Sequence, residues 1–213
     1  MEQLKLKFGS VGEFHVTLEW KTDYGSDGPI GMTWGDLQFW IEGTLIWGQL
    51  DAAGKTAGIT WSWIDLLEFL GNALPYLIEE EQYPITFGKN DEKPKHLGEL
   101  RGMAKLRAAR ISGADADEED ERLRDFFLVH DLSEALQGAY PPKLLFLRRG
   151  SQMLAATNRQ EFVLSFTDTI ATFERLGDAI FERISGLTDV RSEVARVRWC
   201  KRHDMSKEGR ILN

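Results

Sequence analysis

With 213 residues, 42% of them apolar, the chain is long enough to bury its own core, as one domain or as one domain with an appendage. The net charge of −8 argues against wholesale coating of nucleic acid, which rewards a cationic surface, and a single cysteine, Cys200, excludes an internal disulfide. The longest apolar stretch, Ile64 to Ile78, is broken by Asp65, Glu68, Asn72 and Pro75, so no membrane anchor is expected; with no secretory leader in the first residues, a cytoplasmic protein is.

From Glu13 to Trp20 the chain alternates, with Phe14, Val16, Leu18 and Trp20 on one face and Glu13, His15, Thr17 and Glu19 on the other, which predicts a half-buried strand. Asp23 to Gly35, rich in glycine, reads as a loop; Asp36 to Trp47 resumes an extended pattern that Gly43 bends or bulges. Asp51 to Gly58 is a second loop. Ser62 then opens a helix through Trp63, Leu66, Leu67, Leu70 and Leu74 that Pro75 should kink or end. A long connection, Tyr83 to Pro94, leads to a short helix over Gly98 to Ile111.

The acidic run Asp115, Asp117, Glu118, Glu119, Asp120 and Glu121 complements a helix dipole and predicts the start of a helix carrying Leu123, Phe126, Phe127, Leu132 and Leu136, stopped by Pro141-Pro142. Lys143 to Arg149 and Ser151 to Thr157 form a hairpin turning at Arg149-Gly150, and the near-continuous apolar run Leu144 to Leu147 predicts a central strand buried on both faces. After Phe162 and Leu164, Ser165 or Thr167 caps a helix reaching Ile184. Thr188 is expected to cap the last helix, with Val190, Val194 and Val197 facing inward and Arg191, Arg196, Arg198, Lys201 and Arg202 making the other side basic.

Six of the seven tryptophans lie between residues 20 and 63, namely Trp20, Trp34, Trp40, Trp47, Trp61 and Trp63. Most are expected in the core; Trp40, opposite in phase to Phe39 and Ile41, is the candidate for an exposed contact patch. No catalytic constellation accompanies them. Asp115 and Asp117 have the spacing of a calcium loop, but its sixth position holds Asp120 instead of glycine and its twelfth holds Phe126 instead of glutamate. Gly54-Lys55-Thr56 lacks the earlier glycine of a phosphate loop, and Cys200, though it sits among cations, has no organised base. His130-Asp131 and His203-Asp204 resemble paired metal ligands, yet the chain has only four histidines, and a structural role suits them better.

From Trp61 onward, Trp61 to Leu70, Tyr83-Pro84, His130-Asp131-Leu132 and Pro142-Lys143-Leu144 through Arg148-Arg149-Gly150 resemble the N-terminal region of bacterial proteins that bear a C-terminal zinc-peptidase domain of the ImmA/IrrE type, over about residues 35 to 185. The peptidase's His-Glu-x-x-His is missing, so its activity and its metal are not carried over. The resemblance implies a recognition or regulatory module in a bacterial stress, mobile-element or phage-defence setting.

Together these features predict an α+β domain over 1–185, an antiparallel sheet extended by the Lys143 to Phe166 hairpin and packed by several helices, with a basic helical appendage and tail over 186–213. The expected function is a non-enzymatic protein-interaction module without a cofactor, with Trp40, Trp61, Arg198 and Arg202 as contact residues. The alternatives are a nucleic-acid-binding subunit acting beside an effector through Arg101, Lys105, Arg107 and Arg110, with Trp199 or Tyr140 stacking on bases, and a metal-dependent hydrolase using His130 and Asp131.

Overall fold

The computed structural model describes residues 5–20, 33–50, 56–79, 99, 114–136 and 138–205, and these form an α+β fold. A five-stranded antiparallel sheet holds β1 (Lys5–Gly9), β2 (Phe14–Trp20), β3 (Trp34–Ile41), β4 (Thr44–Trp47) and β7 (Ile59–Ser62). Two short strands, β5 (Gln49–Leu50) and β6 (Thr56–Ala57), pair separately. The long strand β3 is shared along one edge: Trp34 to Leu37 pair with β7, and Phe39 to Ile41 pair with β4, across an irregularity between Phe39 and Trp40. The bend expected at Gly43 is a full reversal. Glu42 and Gly43 both have positive φ, 48° and 76°, the backbone that a tight two-residue hairpin requires.

The second sheet is a meander of β8 (Leu145–Arg149), β9 (Gln152–Ala156) and β10 (Glu161–Ser165), in the order β10-β9-β8. It stands apart from the N-terminal sheet instead of extending it, and β8 is an outer strand, not a central one. Burial of both its faces has another cause. Phe146, Met153, Ala155, Phe162 and Leu164 join the main core on one side, while Leu145, Leu147, Leu154 and Ala156 pack on the other against Leu123, Phe126 and Phe127 of α2 (Ala114–His130).

Helix α1 (Trp63–Glu79) continues past Pro75, which is buried within it, so the proline does not end it. The proline forgoes the hydrogen bond to Gly71, a cost of about 3 kcal/mol, but Leu74 and Leu77 on either side are 1% and 2% exposed, and their burial outweighs it. Of the two caps expected for helix α3 (Phe166–Ile184) it is Ser165 that starts it, its Oγ accepting from the Asp168 N–H. Helix α4 (Val190–Met205) is no appendage: Ala195 and Trp199 sit in the same core as Leu66, Leu70 and Phe173. Its buried face is Ser192, Ala195 and Trp199, and the valines expected to face inward are turned outward. Both stripes have helical spacing; the indole, with far more area to bury, decides which one faces the core. Asp189, not Thr188, caps the helix, accepting from the Ser192 N–H at 3.0 Å and its hydroxyl at 2.5 Å. Among the described residues no helix is long and apolar enough to cross a membrane.

Candidate functional site

Helix α1 turns Leu66, Leu67, Leu70, Leu74 and Leu77 into the core, which leaves Asp65, Glu68, Phe69 and Asn72 as a half-buried stripe at helical spacing. That stripe floors a cleft of about 440 Å³, closed by Trp61 at the end of β7, by Leu128 of α2, by Glu134 and Ala135 of the 3-10 turn Leu132–Leu136, and by Arg191 of α4. Trp61 is fixed in place. Its Nε1 donates to the Ala135 carbonyl at 2.9 Å, and its ring is tilted by 58° against that of Trp34, with centroids 5.8 Å apart.

Each carboxylate of the cleft is matched to a cation. Arg191 Nη2 donates to Asp65, Arg198 Nη1 donates to Glu68, and Lys143 Nζ lies 2.9 Å from Glu134 Oε1. Partly exposed pairs of this kind add at most about 1 kcal/mol each, so their consequence is orientation more than stability. The arrangement sets the Trp61, Phe69 and Leu128 side chains among Asp65, Glu68 and Glu134, each of which is paired with a cation. None of its described lining residues is a serine, threonine or cysteine.

The expected contact residues divide. Trp61 lies in the cleft and Arg198 borders it through Glu68. Arg202 is occupied inside the fold: its guanidinium lies over the Trp199 ring at 3.7 Å, Nη1 donates to the Trp199 carbonyl, and Nη2 is 3.5 Å from Asp178. Trp40 is half-buried, stacked on His15 with centroids 5.7 Å apart and 6° between planes, its Nε1 donating to Gln38 Oε1. Burial beside Trp40 holds the His15 imidazole below its ordinary value, and Lys7 adds to the effect, while the Ser10 backbone opposes it. The β2 face read as polar and open therefore buries His15 and Thr17 along with Gln38 of β3.

Trp20, Trp47 and Trp63 are core residues, as is Trp199, which is 2% exposed and so withdrawn from any base-stacking role. Tyr140 is exposed. Arg101, Lys105, Arg107 and Arg110 lie outside the described residues.

Comparison with family models, curated proteins and solved structures finds no match. The chemistry of the remaining candidates therefore rests on geometry. Asp131 is buried and engaged on both oxygens: Oδ1 accepts from the Ser133 N–H (3.0 Å) and hydroxyl (2.6 Å) and from the Leu144 N–H (3.4 Å), while Oδ2 lies 3.2 Å from Lys143 Nζ. His130 stacks on Phe126 with centroids 4.0 Å apart, and its Nδ1 lies 3.0 Å from the Phe126 carbonyl. The pair thus starts the 3-10 turn and closes α2. Among the described residues no group of three or more His, Cys, Asp or Glu could hold a metal ion.

Sequence reasoning singled out Trp61 but missed the cleft, because Asp65 and Arg191 are 126 residues apart and Glu68 and Arg198 are 130 apart. One signal was there to find: Asp65, Glu68, Phe69 and Asn72 follow helical spacing on the side of α1 that its leucines leave open.

Proposed function

We propose that the protein is a non-enzymatic recognition module that grips an apolar or aromatic side chain of a protein partner in the Trp61 cleft. The observation that carries this reading is the indole itself, anchored by Ala135 and lodged among charges that are already paired, so little ordering remains to be done on binding. Rim pairs such as Asp65–Arg191 fix register by opposing a partner of the wrong charge pattern. A regulatory role in a bacterial stress or defence setting belongs to the same proposal and rests on the resemblance alone.

The test is recovery of tagged protein from its host, with and without nuclease, for the native chain and for Trp61→Ala and Phe69→Ala. A stoichiometric protein that resists nuclease and is lost with Trp61→Ala supports the reading. Retention by both variants overturns the site, and loss with nuclease brings the nucleic-acid alternative forward. Arg191, Arg196, Arg198 and Arg202 each give a donor to an acceptor within the fold, whereas the Arg101, Lys105, Arg107 and Arg110 set of that alternative lies outside the described residues.

A further inference from the structure

Helix α4 packs its Ser192, Ala195 and Trp199 side inward, and the opposite side carries Val190, Val194 and Val197, which are 76%, 38% and 44% exposed. Valine is a weak helix former, so local propensity gives no reason for three of them on an open helix face. Their spacing of four and then three, continued four residues on by Lys201, is that of the facing positions of a coiled coil: Val194 takes an a position, where a β-branched side chain suits two strands, Val190 and Val197 take d positions, and Lys201 takes the next a, where a lone polar residue fixes register and oligomer state. The flanks are charged with opposite sign. Glu193 borders the stripe on one side, and Arg191 and Arg198 border it on the other.

We propose that this face is the contact between two copies of the chain, with their α4 helices parallel about a twofold axis. In that register Glu193 of each copy stands five positions before Arg198 of the other, the offset at which flanking residues pair across a parallel coiled coil. An antiparallel pair would instead set Arg191 against Arg198 of the second copy. Among the described residues Arg198 gives Nη1 to Glu68, and a guanidinium has further N–H donors to offer. The valines lie outside the Trp61 cleft, although Arg191 lines it and Arg198 borders it through Glu68, so substitutions of the valines test the dimer without touching the cleft. A seam of twelve residues is only about 18 Å long. It buries less than the roughly 1,200 Å² of a standard interface, so the dimer is weak and reversible.

Sedimentation of the full chain across a concentration series reaching the sub-millimolar range tests this, with folding checked by circular dichroism and thermal melting. The native protein is expected to pass from monomer to dimer, and V194D or V197K, both on exposed positions, to remain monomeric with an unchanged melt. E193R should weaken association by about tenfold, and E193Q by less. A native chain that is monomeric throughout overturns the proposal, as does a dimer indifferent to V194D. E193R that associates as tightly as the native chain overturns the parallel arrangement.

Discussion

The indole of Trp199 lies against Gly177: a Cβ built on that glycine would stand 2.1 Å from Cη2 of the ring. The contact joins α3 to α4, and Trp199 Nε1 completes it by donating to Asp178 Oδ1 at 3.0 Å, while Arg202 covers the ring. Neither helix backbone yields easily, so Gly177→Ala should destabilise the protein by about 1–3 kcal/mol through overpacking. Trp199→Ala should cost about 3–5 kcal/mol by leaving a cavity. Urea unfolding of both variants measures the difference. A neutral G177A would mean that α4 does not dock there.

Asp131 is expected to matter for folding alone. Asp131→Ala strands the Ser133 and Leu144 N–H groups and leaves Lys143 with Glu134 as its only described carboxylate, a loss of roughly 3 kcal/mol by the cost of unmet buried partners. Adding zinc, magnesium or manganese should leave the melting temperature of the native protein unchanged. A stoichiometric metal that raised it, and failed to do so for D131A, would restore the hydrolase reading.

His15 predicts a specific pH dependence. In the unfolded chain the imidazole takes up a proton near its ordinary value of 6.5, whereas the fold, burying the ring with Lys7 nearby, admits that proton only at lower pH. The unfolded state therefore binds more protons just below 6.5. The stability due to the neutral ring is complete above that pH and declines as pH falls beneath it. Thermal melts between neutral and mildly acidic pH should show the decline in the native protein and a flatter profile in His15→Gln.

Asp189 acts in the acidic range. The Ser192 hydroxyl and N–H hold its carboxyl below the ordinary value of 3.8, so its cap is fully formed above that pH and weakens as pH drops past it. Asp189→Ala should cost about 1 kcal/mol near neutrality, with Asp189→Asn recovering most of it. Equal stability of D189A and the native protein would place the start of α4 elsewhere.

What the sequence determined by itself is local. Alternation in Phe14 to Trp20 marked β2, the cap at Ser165 marked α3, and Arg149-Gly150 marked the β8–β9 turn, because side-chain period, capping and turn chemistry act over a few residues. The strand Lys5–Gly9 went unread, since its pattern is too short to stand out before β2 supplies a partner. Tertiary structure decided everything that depends on competition between distant surfaces. It turned Trp199 inward and the α4 valines outward, kept α1 helical through Pro75, and buried β8 under α2 although it is an outer strand. It also brought Trp61 and Asp65 to Glu134 and Arg191, a cleft that no window along the chain contains. Burial energy scales with the area two elements remove from water together, and a residue's own neighbours in sequence do not specify that area.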